Sequence, residues 1–113
     1  MSVHKAVAIE LPMEKIAEFC DRWKVTEFAF FGSVLRDDFR TDSDIDIMVC
    51  FHPDAHPKFS TLDQMEAELK TLFDRDIDLI TRQGIETSRN YLRRHEILSS
   101  ARVIYATGSA ISA

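Results

Sequence analysis

The chain has 113 residues, 45% of them hydrophobic and 29% charged, with a net charge of -5, which specifies one domain over residues 1–113 and excludes a disordered chain. No stretch is apolar for long enough to span a membrane, and the opening MSVHKAVAIELP lacks the zones of a secretory signal, so the cytoplasm is the expected location. Residues 1–81 hold 9 Lys/Arg and 17 Asp/Glu (net -8) and residues 82–113 hold 5 and 2 (net +3); the acidic part argues against direct nucleic-acid binding, which depends on neutralising phosphates.

PMEKIAEFCDRW predicts an amphipathic helix with Pro12 in its first turn and Met13, Ile16, Ala17, Cys20 and Trp23 at three- and four-residue steps. VTEFAFF switches to a β-branched and aromatic run stopped by Gly32, which predicts a strand ending in a tight turn. IDIMVCF predicts a second strand, with Ile45, Ile47 and Val49 on one face and Asp44, Asp46, Met48 and Cys50 on the other. HPDAHP ends that strand as a loop and places His52 and His56 on the surface. Ser60 is positioned to cap a helix whose apolar stripe is Leu62, Met65, Leu69, Leu72 and Phe73. DIDLIT predicts a third strand, ETSRNYLRRHEILSSA one helix after Gly84, and RVIYA a short final strand or extended segment before a frayed TGSAISA tail. Helices alternating with strands predict one sheet covered by helices, with strand directions left open.

Asp44 and Asp46, two apart on a strand, aim both carboxylates at one face, where their repulsion has to be offset by a cation, an arginine or water. A sparse pair of hard oxygen ligands suits Mg²⁺, which keeps several waters and takes its remaining ligands from substrate phosphates. Asp76 and Asp78 both qualify by alternation as a third carboxylate from DIDLIT, which would allow a two-metal in-line displacement. Gly32 permits positive φ, so amides around Ser33 can turn toward an anion and the Ser33 hydroxyl can donate to a phosphate. Arg36 and Arg40 in the connecting segment are forked donors suited to the same phosphates.

Gly32-Ser33, ten intervening residues and then Asp44-Ile45-Asp46, set in FFGSVLRDDFRTDSDIDIMV, resembles the signature of the DNA polymerase beta type nucleotidyltransferase superfamily, in particular its minimal nucleotidyltransferase (MNT) branch. The resemblance implies an α/β (α+β) fold, a small mixed sheet with helices packed on it. It makes Asp44, Asp46 and Asp78 the catalytic and metal-holding carboxylates, and Gly32, Ser33 and Arg36 nucleotide-binding, with ATP as donor. Asp76 stays open beside Asp78, its simpler reading being a solvent-facing strand entry. Minimal members are commonly encoded with a HEPN-domain toxin, so the resemblance also implies a type VII toxin–antitoxin antitoxin that transfers AMP to a tyrosine of a HEPN ribonuclease. The competing readings are an antitoxin that inhibits its partner by binding alone and a small-molecule nucleotidyltransferase, the latter disfavoured because 113 residues leave no length for an acceptor domain.

The remaining polar residues have plainer roles. Arg89, Arg93 and Arg94 read as a solvated helix face, with contact to a nucleotide, RNA or an acidic partner as the competing reading, Trp23 as packing, Cys20 and Cys50 as buried free thiols, and His4 and His95 as residues without a partner motif.

Overall fold

The structure, a computed structural model, describes residues 11–35 and 43–107, with Ser33 described by its backbone alone. Arg36, Arg40, His4 and nearly all of the TGSAISA segment lie outside the described residues. Helix α1 spans Met13–Trp23, strand β1 Val25–Phe31, a 3-10 turn Gly32–Leu35, and β2 Ile45–Phe51. Then come α2 (Phe59–Phe73), β3 (Ile77–Thr81), α3 (Arg82–Glu86), α4 (Tyr91–Ser100) and β4 (Arg102–Ala106). The four strands form one mixed sheet in the order β3-β2-β1-β4. β1 runs antiparallel to both β2 and β4, while β2 and β3 are parallel, a relation that needs a crossover, which α2 supplies.

Both faces of the sheet are covered, and strand alternation decides what each face receives. Ile45, Ile47, Val49 and Phe51 of β2 join Val25, Phe28 and Phe30 of β1 and Ile77 of β3 in the larger core. Ile16, Phe19 and Cys20 of α1 and Met65 and Leu69 of α2 close over them. Phe19, Phe28, Phe30 and Phe73 make a chain of edge-on ring contacts with centroids 5.8–6.0 Å apart, a geometry that aromatic quadrupoles favour. On the opposite face Ala29, Phe31 and Met48 pack with Ile85 of α3 and Ile97 of α4. Each large side chain buried this way contributes roughly 1.5–3 kcal/mol.

The expected α1 stripe holds at Ile16 and Cys20, but Met13 is exposed and Phe19, three residues after Ile16, is buried instead. Trp23 is half-buried against the core, and its indole N–H donates to Glu68 Oε1 at 3.0 Å. The same carboxylate accepts from Arg22, so α1 and α2 are tied at this end. Helix α1 stops at Lys24, whose φ of 60° is left-handed, and the amide of His52 donates to its carbonyl at 2.8 Å.

Two boundaries differ from expectation. Helix α2 begins one residue before Ser60, with Lys58 at its N-cap and no side-chain cap, so Ser60 lies inside the first turn, while Met65 and Leu69 of the expected stripe are buried. The segment read as one helix after Gly84 is two: α3 contains Gly84, and α4 starts after Asn90, whose side chain accepts from the Arg93 amide at 3.1 Å. Ser88 supports the break by accepting from the Asn90 amide at 3.2 Å. Asn and Ser bond locally to backbone and so favour caps over helix interiors. His52 and His56 are exposed in the loop after β2, as expected. Cys20 is buried and Cys50 is half-buried on the other face of the sheet, both as free thiols, so only the first matches the expected burial. Among the described residues no helix is long and apolar enough to cross a membrane.

Candidate functional site

The end of β1 and the start of β2 lie side by side, with Phe31 paired to Asp46 in the antiparallel register. Gly32 follows Phe31 with a φ of +75°, a conformation that costs an L-residue with a side chain roughly 1–2 kcal/mol. A second constraint acts at the same residue. A Cβ on Gly32 would sit 3.2 Å from Asp46 Cγ and overlap Asp46 Oδ2. The glycine therefore does two things that no other residue can do here: it turns the chain into the 3-10 segment, and it leaves the Asp46 carboxylate its place against the turn.

Asp46 is half-buried and Asp44, just before β2, is exposed. Their stretch of backbone is pinned by the entry to β3. Arg75 Nη1 donates to the Ser43 carbonyl at 3.2 Å, and the Ile45 amide donates to the Asp76 carbonyl at 2.9 Å. The parallel register then sets Asp46 beside Asp78 and Ile45 beside Ile77, and neighbouring strands stand about 4.8 Å apart. Ile77 and Leu79 turn to the larger core, so alternation puts Asp78 on the same face as Asp46.

Asp76 behaves differently from Asp78 although they are two apart. It precedes β3, and its Oδ1 pairs with Lys70 Nζ of α2 at 3.1 Å, with both side chains exposed. That pairing engages Asp76 with the helix of the opposite layer.

A cavity of about 740 Å³ opens at this end of the sheet, within the roughly 300–1,000 Å³ usual for small-molecule sites. Gly32, Asp44 and Asp46 line it from the sheet, Arg93 and Glu96 from α4, and Arg102 from the start of β4. Asp78 is outside this lining. Among the described residues no three or more His, Cys, Asp or Glu side chains are grouped to hold a metal ion. The oxygen-only pair of Asp44 and Asp46 fits a hard cation that takes its other ligands from water and phosphate, and the glycine cradle keeps open the space that one of the two carboxylates fills.

Arg102 is a cavity residue that sequence reasoning passed over, and Arg93 is one for which it preferred a solvated face to nucleotide contact. Arg93 reads as part of a solvated face, yet it is four residues before the buried Ile97, which sets it on the same side of α4. Arg102 belonged to a segment with no assigned role. The +3 charge of residues 82–113 is the trace that both leave in the sequence.

Comparison with known proteins identifies the family. A model of the nucleotidyltransferase domain family matches residues 13–108. A Methanocaldococcus jannaschii protein named as a protein adenylyltransferase is 38% identical over 65 residues, 58% of this chain and 65% of that protein, so the match spans just under two thirds of the relative's length. A second protein of that name from the same organism is 35% identical over 60% of this chain and 77% of its own. Among solved structures, a toxin–antitoxin complex with AMP-PNP superposes with a TM-score of 0.67 at 19% identity, covering 90% of this chain and 79% of that one. A chain assigned as a minimal nucleotidyltransferase gives 0.61 at 26% identity, covering 79% and 85%. A Shewanella oneidensis complex of a tri-AMPylated HEPN toxin with an MNT antitoxin gives 0.59 at 19% identity, covering 88% and 73%. With its Gly-Ser turn, its paired aspartates and a family match that takes in every described strand and helix, this chain belongs to the nucleotidyltransferase domain family.

Proposed function

We propose that this chain is a Mg²⁺-dependent adenylyltransferase that moves AMP from ATP onto a tyrosine hydroxyl of a HEPN ribonuclease toxin, and so acts as the antitoxin of a type VII system. The observation that carries the reading is the fit of Gly32 to Asp46: a glycine at φ +75° whose missing side chain is the space of an aspartate at the mouth of a cavity. The relatives named as protein adenylyltransferases support transfer to a protein, and the HEPN toxin complex among the structural neighbours supports the choice of partner.

Asp44 and Asp46 would hold the cation, whose charge would offset the phosphates and favour in-line displacement. The turn at Gly32 and Ser33, with Arg36, holds the phosphates by backbone and side-chain donors. The acceptor hydroxyl oxygen forms a bond to the α-phosphorus as the bond from that phosphorus to the bridging oxygen breaks, and pyrophosphate leaves with the electron pair. Asp78, beside Asp46 in register, takes the hydroxyl proton. Residues 1–113 act as one minimal domain with the nucleotide half of the site, and the acceptor side comes from the partner.

The test is to incubate chain and HEPN partner with ATP and Mg²⁺ and to weigh both by intact-mass spectrometry. AMP additions on the partner, lost with Asp46→Asn, are the expected result. Inhibition that persists in full with Asp46→Asn and without ATP would overturn the catalytic reading in favour of inhibition by binding alone.

A further inference from the structure

The cavity is electrically divided. The sheet contributes Asp44 and Asp46, while α4 and β4 contribute Arg93 and Arg102. Among the described residues neither arginine side chain has a hydrogen bond or ion pair, in contrast to Arg22, Arg75, Arg82 and Arg94, each of which is engaged. Two arginines from different elements, both exposed and both lining one cavity, present forked donors that match phosphate oxygens.

We infer that Arg93 and Arg102 form a polyphosphate subsite that works without a metal ion and takes the pyrophosphate end of a nucleoside triphosphate. The inference deepens the nucleotidyltransferase reading and rests on it for the nucleotide, but the subsite itself rests on the two arginines. A polyphosphate bound by arginine needs no cation, whereas one set against Asp44 and Asp46 alone would be repelled. Glu96 lines the same cavity one helical turn from Arg93 and opposes an incoming anion. Binding is therefore weakened by Glu96 and strengthened by its neutralisation, a sign that a merely structural role for α4 would not produce.

Isothermal titration of pyrophosphate and tripolyphosphate into the whole chain in EDTA tests the subsite. Arg93→Gln, Arg102→Gln, the double variant, Glu96→Gln and the control Arg89→Gln are compared with wild type, since Arg89 is exposed and outside the cavity lining. Circular dichroism verifies that each is folded. Each single arginine loss is expected to weaken binding roughly tenfold, the double variant to abolish it, Glu96→Gln to tighten it several-fold, and Arg89→Gln to leave it unchanged. Equal binding by wild type and the double variant, an equal loss in Arg89→Gln, or no binding by wild type in EDTA would each overturn the subsite. Titration of Mg²⁺-ATP into wild type separates the two ideas. If polyphosphate binds through the arginines while Mg²⁺-ATP does not bind, the subsite stands and the nucleotide reading falls.

Discussion

Asp46 occupies the space that a side chain on Gly32 would fill, and the two residues are set against each other by the pairing of Phe31 with Asp46 across β1 and β2. The glycine's identity is thus dictated by a neighbour in space as well as by its own φ of +75°.

Gly32→Ala should therefore destabilise the domain twice over, through left-handed strain of roughly 1–2 kcal/mol and through displacement of the Asp46 carboxylate. Removing the obstacle separates the two. In Gly32→Ala/Asp46→Ala the overlap disappears and only the strain remains, so the double variant should unfold at a higher temperature than the additive sum of the single variants. A thermal-denaturation cycle measures this coupling, and strict additivity would contradict the contact.

Asp46→Asn keeps the shape of the side chain and removes its charge. The fold should be retained, with relief of repulsion from Asp44, while nucleotide transfer falls roughly 100-fold or more. Thermal unfolding and transfer on one preparation check both halves, and full activity in the variant would exclude Asp46 as a metal-holding residue.

Asp78 and Asp76 should respond in opposite ways to the same substitution. Asp78→Asn should lower transfer, because Asp78 stands beside Asp46 in the parallel register. Asp76→Asn should leave transfer intact and cost less than about 1 kcal/mol, since its pair with Lys70 is exposed and such pairs contribute little. Comparing kcat and the thermal midpoint for the two variants decides between them.

Cys20 gives a pH signature. Burial pushes its thiol up to about 12 from an ordinary 9.0, so above pH 9 the unfolded chain releases a proton that the folded one keeps. The stabilisation is whole below pH 9 and is lost as the pH rises from 9 toward 12. Chemical denaturation across that window should show falling stability in wild type and a shallower fall in Cys20→Ala. A thiol reagent at neutral pH should label half-buried Cys50 in the native protein and Cys20 only on unfolding.

What the sequence made legible was local. The Gly-Ser turn, the Asp44 and Asp46 pair and the strand around them lie within one short segment, and the two-residue period of a strand fixes which carboxylates share a face. The split between α3 and α4 was harder, because ETSRNYLRRHEILSSA carries weak periodicity and the break depends on Asn90 and Ser88 turning to backbone. Asp76 and Asp78 could not be separated by alternation at all; in three dimensions Asp76 pairs with Lys70 while Asp78 stands beside Asp46 in register. Arg93 and Arg102 were invisible as a pair for a related reason: only the packing of α4 on the sheet and the pairing of β4 with β1 bring them to one cavity.

The strand order β3-β2-β1-β4 also has a consequence for biosynthesis. β4 pairs with β1, the earliest of the four strands to be made, and it must wait for the other two. At ribosomal rates of about 5–20 residues per second, Arg102 follows Asp46 by roughly 3–11 s. During that interval the edge of β1 that β4 covers waits for its partner. Any pause in synthesis before Arg102 therefore leaves one edge of β1 unpaired, an open template on which another extended chain can pair.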